Sequence, residues 1–167
     1  MYEMKIYLLN NTKPYSEDEE EYTGAWFLCP VDFDEVKEKL GVESEEEIEV
    51  ADYELPFSIG TDTPLWEINV NCRMVLSLEG TPLGNEIEAI QRKWFTSFED
   101  FIDHKEEIRH YDVEDSESLA RHLLLEEHLC GELSQKLAEH MDYAAFGREL
   151  EESSEYLFTT SGVFRYQ

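Results

Sequence analysis

Residues 23–41, TGAWFLCPVDFDEVKEKLG, predict a strand followed directly by a helix. Residues 23–29 are rich in aromatic side chains, which favours a strand, and Pro30 stops that strand. Asp32 is a good N-cap, and Gly41 can end a helix in the left-handed conformation. Between them, three apolar residues recur at the spacing of one helix face: Phe33, Val36 and Leu40.

Two more strands are predicted around this unit. Residues 4–9, MKIYLL, and residues 48–55, which Pro56 ends, both have the composition of strands. Between the first two strands, residues 17–21 are five consecutive acids without periodicity, which predicts a loop. Residues 1–61 therefore predict a three-stranded β-sheet with one short helix.

Residues 62–108 predict a helical middle unit. Thr63 is the expected N-cap of its first helix, with Pro64 in the first turn. A single apolar face follows: Leu65, Ile68, Cys72 and Val75. Bulky aromatic side chains from this unit and the first one are expected in the core: Trp26, Phe27, Trp66, Trp94 and Phe95.

Residues 109–167 predict an α+β C-terminal unit. Helices are expected at 117–129, 132–140 and 142–151, and a hairpin is expected around Ser161-Gly162. The whole chain is therefore expected to be an α+β protein made of three small units in a line.

Composition excludes several classes of function. The 167 residues contain 40 Asp and Glu but only 13 Lys and Arg, giving a net charge of −27. Too few cations are present to neutralise phosphates, so we expect binding neither to nucleic acid nor to an anionic membrane. With 41% hydrophobic and 13% aromatic residues, the chain is nevertheless expected to fold.

The cysteines favour a reducing compartment. Cys29, Cys72 and Cys130 are far apart and form no CxxC pair, so neither a disulfide scaffold nor a zinc ribbon is expected. No signal peptide is visible at the N-terminus, and no apolar run reaches the length of a membrane span. We therefore expect a cytoplasmic protein.

No catalytic motif stands out. The glycine-rich and nucleophile motifs of common enzymes are absent, and the sequence singles out neither a nucleophile nor a general base. We therefore expect a binding protein that is not an enzyme and has no cofactor. One alternative is a metal-dependent hydrolase that uses His122, Glu126 and His128, although the two histidines are six residues apart and do not share a helix face.

The distribution of the acids is more informative than their number. Like charges recur three and four residues apart on predicted helices, where each pair costs about 0.2–0.5 kcal/mol. Duplex DNA carries about one charge per 1.7 Å, so a charge of −27 equals that of roughly 46 Å of duplex. This arrangement makes a surface that imitates DNA possible.

Several blocks of the sequence resemble the ArdA antirestriction family. Residues 119–133 lie where that family carries a motif rich in leucine and glutamate, and residues 62–100 match least clearly. The blocks are TGAWFLCPVDFDEVKEKLG (23–41), DYELPF (52–57), LARHLLLEEHLCGEL (119–133), MDYAAFGRELE (141–151) and GVFRY (162–166).

The resemblance implies a function and an assembly. Members of the family are encoded on conjugative plasmids and transposons, and they are acidic DNA mimics that occupy the DNA-binding groove of type I restriction–modification enzymes. The resemblance also implies an elongated, curved homodimer with contacts through the C-terminal unit. The alternative within this class is a DNA mimic that sequesters another DNA-binding protein.

Site residues can be proposed on this basis, although the family offers no catalytic residue to transfer. The carboxylates expected to replace phosphates are Asp32, Asp34, Glu35, Glu38, Glu45, Glu46, Asp100, Asp103, Glu107, Asp115, Glu126, Glu127, Glu149 and Glu152. The residues expected at the dimer interface are Leu123, Leu124, Leu125 and Leu129. Sequence alone does not decide whether these leucines belong to the interface or to the core.

Overall fold

The computed structural model describes residues 3–12 and 24–167, so the acidic run 17–21 and Thr23 lie outside the described residues. The chain divides into two compact units, Met1–Gly84 and Asn85–Gln167. Each contains helices and one three-stranded antiparallel sheet, which confirms the α+β prediction. The division into three units stays a prediction.

The first unit is built on a sheet in which β1 (Lys5–Asn10) lies between β2 (Gly24–Leu28) and β3 (Ile48–Glu54). Side chains of the central strand alternate between buried and half-buried, as expected for a sheet with one face on the core. The core contains Ile6, Leu8, Phe27, Val36 and Leu40. The elements are β1 (Lys5–Asn10), β2 (Gly24–Leu28), α1 (Phe33–Leu40), β3 (Ile48–Glu54) and α2 (Leu65–Ser77), with a 3₁₀ turn at Glu45–Glu47.

Helix α1 forms where the sequence predicts it. The Asp34 backbone N–H donates to Oδ1 of Asp32 at 3.0 Å, so Asp32 is the N-cap. Gly41 ends the helix with φ of 68°, a conformation that side chains with a Cβ rarely adopt. Val36 and Leu40 are buried and Phe33 is half-buried.

Helix α2 has the predicted buried face but a different start. Leu65, Ile68, Cys72 and Val75 are all buried. The predicted Thr63 cap is wrong, because Pro64 occupies the N-cap position without a side-chain hydrogen bond. The Thr63 hydroxyl instead accepts a hydrogen bond from the Gly60 N–H at 2.8 Å, so a local turn takes the oxygen that the helix would need.

The second unit contains a sheet in which β6 (Gly162–Arg165) lies between β4 (Arg109–Tyr111) and β5 (Tyr156–Thr159). The hairpin of β5 and β6 confirms the prediction around Ser161-Gly162. Gly162, the first strand residue after the turn, has φ of 114°. The core combines Tyr111, Leu119, Tyr156 and Val163 with neighbouring apolar side chains. The elements are α3 (Pro82–Asn85, which begins in the first unit), α4 (Ile87–Trp94), α5 (Phe98–His104), β4 (Arg109–Tyr111), α6 (Ser116–Arg121), α7 (Gln135–His140), α8 (Tyr143–Glu152), β5 (Tyr156–Thr159) and β6 (Gly162–Arg165).

The predicted helix 117–129 is wrong in its second half. After α6 the chain widens into a π-helical turn, His122–Glu126, in which the Glu127 N–H donates to the His122 carbonyl at 3.1 Å. His128 then adopts φ of 52°, which ends the helical path. The side chains of 122–126 suit an α-helix, so the sequence carries no signal for this change.

Two of the tryptophans expected in the core are exposed. Phe27 and Phe95 are buried as predicted, but Trp66 is 64% exposed and Trp26 is 38% exposed. Trp66 lies outside the buried face of α2. Trp26 lies opposite Tyr7 in the sheet register, and the two rings meet edge to face at 5.4 Å. The prediction failed because side-chain size does not reveal which face of an element meets the core.

Candidate partner-binding surface

The predicted carboxylates lie at the surface of both units. All have exposed side chains except Asp100 and Glu127, which are half-buried. Exposure makes these groups accessible, but it does not separate the carboxylates that hold the fold together from those that are available to a partner. Their hydrogen bonds and ion pairs provide that separation.

Helix α1 presents carboxylates that form no ion pair with a cation in the part of the chain that the structure describes. Within the described residues, no ion pair involves Asp34, Glu35 or Glu38. The two lysines of the same helix are directed elsewhere: the Lys37 ammonium lies 5.6 Å from the centre of the Phe33 ring, and that of Lys39 lies 5.4 Å from the Phe27 ring. The helix therefore carries a fixed negative surface, anchored by a cap at each end.

The acids of the 3₁₀ turn after α1 have two different roles. The Glu47 carboxylate accepts hydrogen bonds from the backbone N–H groups of Glu43 and Ser44, the latter at 3.2 Å, as in a capping box. Glu45 and Glu46 remain exposed. Glu47 thus holds the turn, while Glu45 and Glu46 add to the negative surface.

The acids of helix α5 and of the residues just after it affect the pKa values of neighbouring groups. Nδ1 of His104 lies 2.8 Å from the Asp100 carbonyl oxygen and 3.3 Å from Oδ1 of Asp100. The hydrogen bond to that carbonyl, together with the charges of Glu107, Asp100 and Asp103, raises the pKa of His104 above its ordinary value. Partial desolvation, with Glu107 and Asp100, also raises the pKa of Tyr166. These acids therefore act on one region of the second unit.

Asp115, Glu126 and Glu127 already have partners within the chain. Asp115 caps α6, and the hydrogen bond from the Ser118 N–H, at 2.8 Å, lowers the pKa of its carboxyl group. Glu126 lies 3.0 Å from Nδ1 of His122, and Glu127 pairs with Arg109.

At the end of the second unit, Glu149 and Glu152 are exposed on α8. The ion pairs found among the described residues include neither of them.

The residues of the hydrolase alternative do not form a metal site. His122 lies between Glu126 and Glu127, with Nε2 3.5 Å from Oε1 of Glu127, but His128 does not join this group. Across residues 3–12 and 24–167, no group of three or more His, Cys, Asp and Glu side chains is placed to hold a metal ion. The geometry therefore offers no support for metal-dependent hydrolysis.

The four leucines proposed for a dimer interface divide into two pairs. Leu123 and Leu124 belong to the core of the second unit. Leu125 and Leu129 are 37% and 53% exposed. Leu125 also lines a cavity of about 190 Å³ with Leu124, His128, Glu132 and Leu133.

Sequence reasoning missed two other exposed apolar side chains in this region, Leu137 and Met141. Leu137 lies on the short helix α7, and Met141 directly follows that helix. Most of the residues around them in the sequence are polar. The available signal was that Leu137 and Met141 are four residues apart in a stretch that is otherwise mostly polar.

In the part of the chain that the structure describes, no helix has the length and apolar character needed to cross a membrane.

Comparison with known proteins places the chain in a family. A search among curated proteins gave no match. The family model for the antirestriction protein ArdA matches residues 12–165, nearly the whole chain. The chain therefore belongs to the ArdA family of antirestriction proteins.

Proposed function

We propose that this protein inhibits type I restriction–modification enzymes by placing its carboxylates where the enzyme binds DNA phosphates. The observation that carries the proposal is the set of acids on α1 that have no ion-pair partner among the described residues; the helix is capped at both ends, and its lysines lie against aromatic rings. Exposed carboxylates on a capped helix are available to the Lys and Arg side chains of a DNA-binding groove.

The proposed mechanism is binding without chemistry. A protein of net charge −27 would be attracted to a basic groove at long range, which speeds encounter. Once bound, the carboxylates would take the hydrogen bonds and counterion positions that phosphates take in the DNA complex. The two ligands would then exclude each other, and inhibition would weaken as salt screens the charges.

Competition with labelled duplex tests the proposal. The protein is titrated into a type I enzyme bound to labelled duplex at low salt, and the released duplex is measured. The informative variant combines Asp34→Asn, Glu35→Gln and Glu38→Gln, which removes three charges of α1 with little change in shape. We expect it to need about tenfold more protein for half-displacement, equivalent to about 1.4 kcal/mol.

A variant of equal charge provides the control. Glu17→Gln, Asp18→Asn and Glu19→Gln also remove three charges, at positions where the sequence predicts a loop. We expect this variant to displace duplex nearly as well as the unsubstituted protein. Equal losses in both variants would show that only net charge matters, and failure of the unsubstituted protein to displace duplex would contradict the proposal as a whole.

We also propose that the protein acts as a homodimer joined through the second unit. Two chains that each carry −27 repel one another, so association needs apolar contact. Exposed apolar side chains that can supply such contact are Leu125, Leu129, Leu137 and Met141.

Sedimentation equilibrium tests this assembly with the paired substitutions Leu129→Ser and Leu137→Ser. We expect the variant to be a monomer at concentrations where the unsubstituted protein is a dimer. Leu28→Ser, at a residue 70% exposed in the first unit, is the matched control and should leave the dimer unchanged. A monomeric unsubstituted protein would contradict the proposed dimer.

A further inference from the structure

The outer face of the sheet in the first unit carries three rows of side chains. Ile6 and Leu8 of β1 are buried in the core, so the alternate side chains of that strand face the other way. The strand register places one residue of β2 and one of β3 beside each of these outward side chains. From β2 through β1 to β3, the rows are Leu28–Lys5–Glu54, Trp26–Tyr7–Asp52 and Gly24–Leu9–Glu49. The face therefore has an apolar and aromatic side on β2 and an acidic side on β3.

A β-bulge places the three acids of β3 on the same face. The register shifts between Tyr7 and Leu8 of β1, and the pairing with β3 passes over Ala51 at that point. Alternate residues of a regular strand share a face, so residues 49 and 52 would otherwise lie on opposite sides. The extra residue of the bulge changes which side chains point outward. The exposed acids on the outer face are Glu49, Asp52 and Glu54.

Lys5 shows what kind of group this face holds. Its ammonium nitrogen lies 3.3 Å from Oε2 of Glu54 on β3 and 5.1 Å from the centre of the Trp26 ring on β2. A carboxylate and the face of an aromatic ring both attract a cation. A single cation thus bridges the acidic and the aromatic sides of the sheet.

The neighbouring row, which is centred on Tyr7, has the same two sides. Trp26 is 38% exposed, and Asp52 is exposed. Oδ1 of Asp52 accepts a hydrogen bond from the Tyr53 N–H at 2.8 Å, and among the described residues this carboxylate forms no ion pair. Residues directly opposite one another in a sheet have Cβ atoms about 4.5–5.5 Å apart, so a cation here can reach the rings and the carboxylate together.

Gly24 fixes the ring at the centre of this row. A Cβ added at Gly24 would lie 2.8 Å from Cε1 and Oη of Tyr7, closer than side chains pack, so the ring lies over the glycine. The Tyr7 ring also meets the Trp26 ring edge to face at 5.4 Å. The two rings are held in the sheet before a partner arrives, so binding orders few side chains.

We propose that the row of Trp26, Tyr7 and Asp52 binds an arginine of the DNA-binding groove of the target enzyme. The inference rests on the proposed function and adds a second surface to it, on the side of the sheet that faces away from the core. Arginine is complementary to this row because its planar guanidinium forms paired hydrogen bonds with carboxylates and stacks on aromatic rings. The guanidinium would donate to the Asp52 carboxylate with its plane against the rings.

A double-mutant cycle in the duplex-displacement assay tests the inference. Trp26→Leu removes the ring and Asp52→Asn removes the charge, and each should raise the protein needed for half-displacement about fivefold. If one arginine contacts both groups, the double variant should need about five- to tenfold more protein, rather than the roughly 25-fold expected of independent contacts. Trp26→Phe should lie between the unsubstituted protein and Trp26→Leu, because Phe attracts a cation less strongly than Trp.

Two matched variants control for the loss of a charge and of a tryptophan. Glu88→Gln removes an exposed charge of α4, and Trp66→Leu removes an exposed ring of α2. Both should displace duplex as well as the unsubstituted protein does. Thermal denaturation checks that each variant is folded, and the cycle uses Trp26→Phe in place of Trp26→Leu if the latter is not.

The outcomes separate this inference from the proposed function. Failure of the unsubstituted protein to displace duplex would overturn both. Displacement that Trp26→Leu and Asp52→Asn leave unchanged would overturn this inference alone. Losses that multiply in the double variant would also overturn it, because no single cation would then join the ring and the carboxylate. An equal loss in Glu88→Gln would do the same, because net charge alone would explain the effect of Asp52→Asn.

Discussion

Asp32 shows how one carboxylate can serve both the fold and the proposed surface. Its side chain is exposed, yet Oδ1 accepts the backbone hydrogen bond that starts α1. A substitution that removes the whole group would therefore change stability and charge together. Any assay of this residue has to separate the two effects.

A pair of substitutions at Asp32 makes that separation. We expect Asp32→Ala to lower the free energy of unfolding by about 0.5–2 kcal/mol, whereas Asp32→Asn keeps a capping oxygen and most of the stability. Both remove one negative charge. Urea denaturation measures the difference, and equal stability of the two variants would show that the cap contributes little to this unit.

His104 makes the local potential measurable by pH. Its folded pKa is raised, so its protonation stabilises the fold below the ordinary histidine value of about 6.5 and this contribution is lost as pH rises through the folded pKa. We expect His104→Asn to lower the melting temperature more at about pH 6 than at about pH 8. Differential scanning calorimetry measures this, and a loss that does not depend on pH would refute the raised pKa.

At the scale of elements, prediction from sequence succeeds where all the signals are local. Helix α1 was predictable because its cap, its apolar spacing and its terminal glycine lie within ten residues of one another. Thr63 failed as a cap because the Gly60 N–H competes for its hydroxyl. The π-helical turn after α6 was not predictable, because the side chains of residues 122–126 suit an ordinary α-helix.

The close approach of α6 and α8 depends on Gly147. A Cβ added there would lie 2.7 Å from the Ser116 carbonyl carbon and oxygen, which are backbone atoms that cannot rotate away. In most helices Gly→Ala is stabilising, but here we expect Gly147→Ala to lower the free energy of unfolding by about 1–3 kcal/mol. Thermal denaturation tests this sign.

Gly60→Ala is the control for that prediction. Among the residues that the structure describes, an added Cβ at Gly60 would meet only the Thr63 hydroxyl, at an ordinary 3.6 Å. We expect little change in melting temperature. If Gly147→Ala were as stable as Gly60→Ala, the two helices would have room to move apart and the close contact would not limit the fold.

At the scale of the whole molecule, self-repulsion governs stability. The net charge of −27 opposes compaction, and ionic strength of about 0.15 M shortens the screening length to about 8 Å. We therefore expect sodium chloride to raise the melting temperature while weakening binding to the proposed enzyme target. A melting temperature that falls steadily from the first addition of salt would contradict this expectation.

The candidate surface was predictable in outline and not in detail. Composition and the spacing of acids predicted an acidic surface, and the candidate carboxylates are exposed or half-buried in the structure. Sequence could not tell that Glu127 pairs with Arg109, that Asp115 caps a helix, or that Asp34 has no cationic partner among the described residues. Those differences depend on residues brought together by the fold.

The placement of the tryptophans gives each unit its own optical reporter. Trp26 and Trp66, both exposed, belong to the first unit, and Trp94, whose Nε1 donates to the Ser154 carbonyl at 2.8 Å, belongs to the second. A Trp94→Phe protein would fluoresce from the first unit alone, and a protein with Phe at 26 and 66 would fluoresce from the second alone. The emission of these two proteins can show whether the units unfold together and which of them responds when a target enzyme binds.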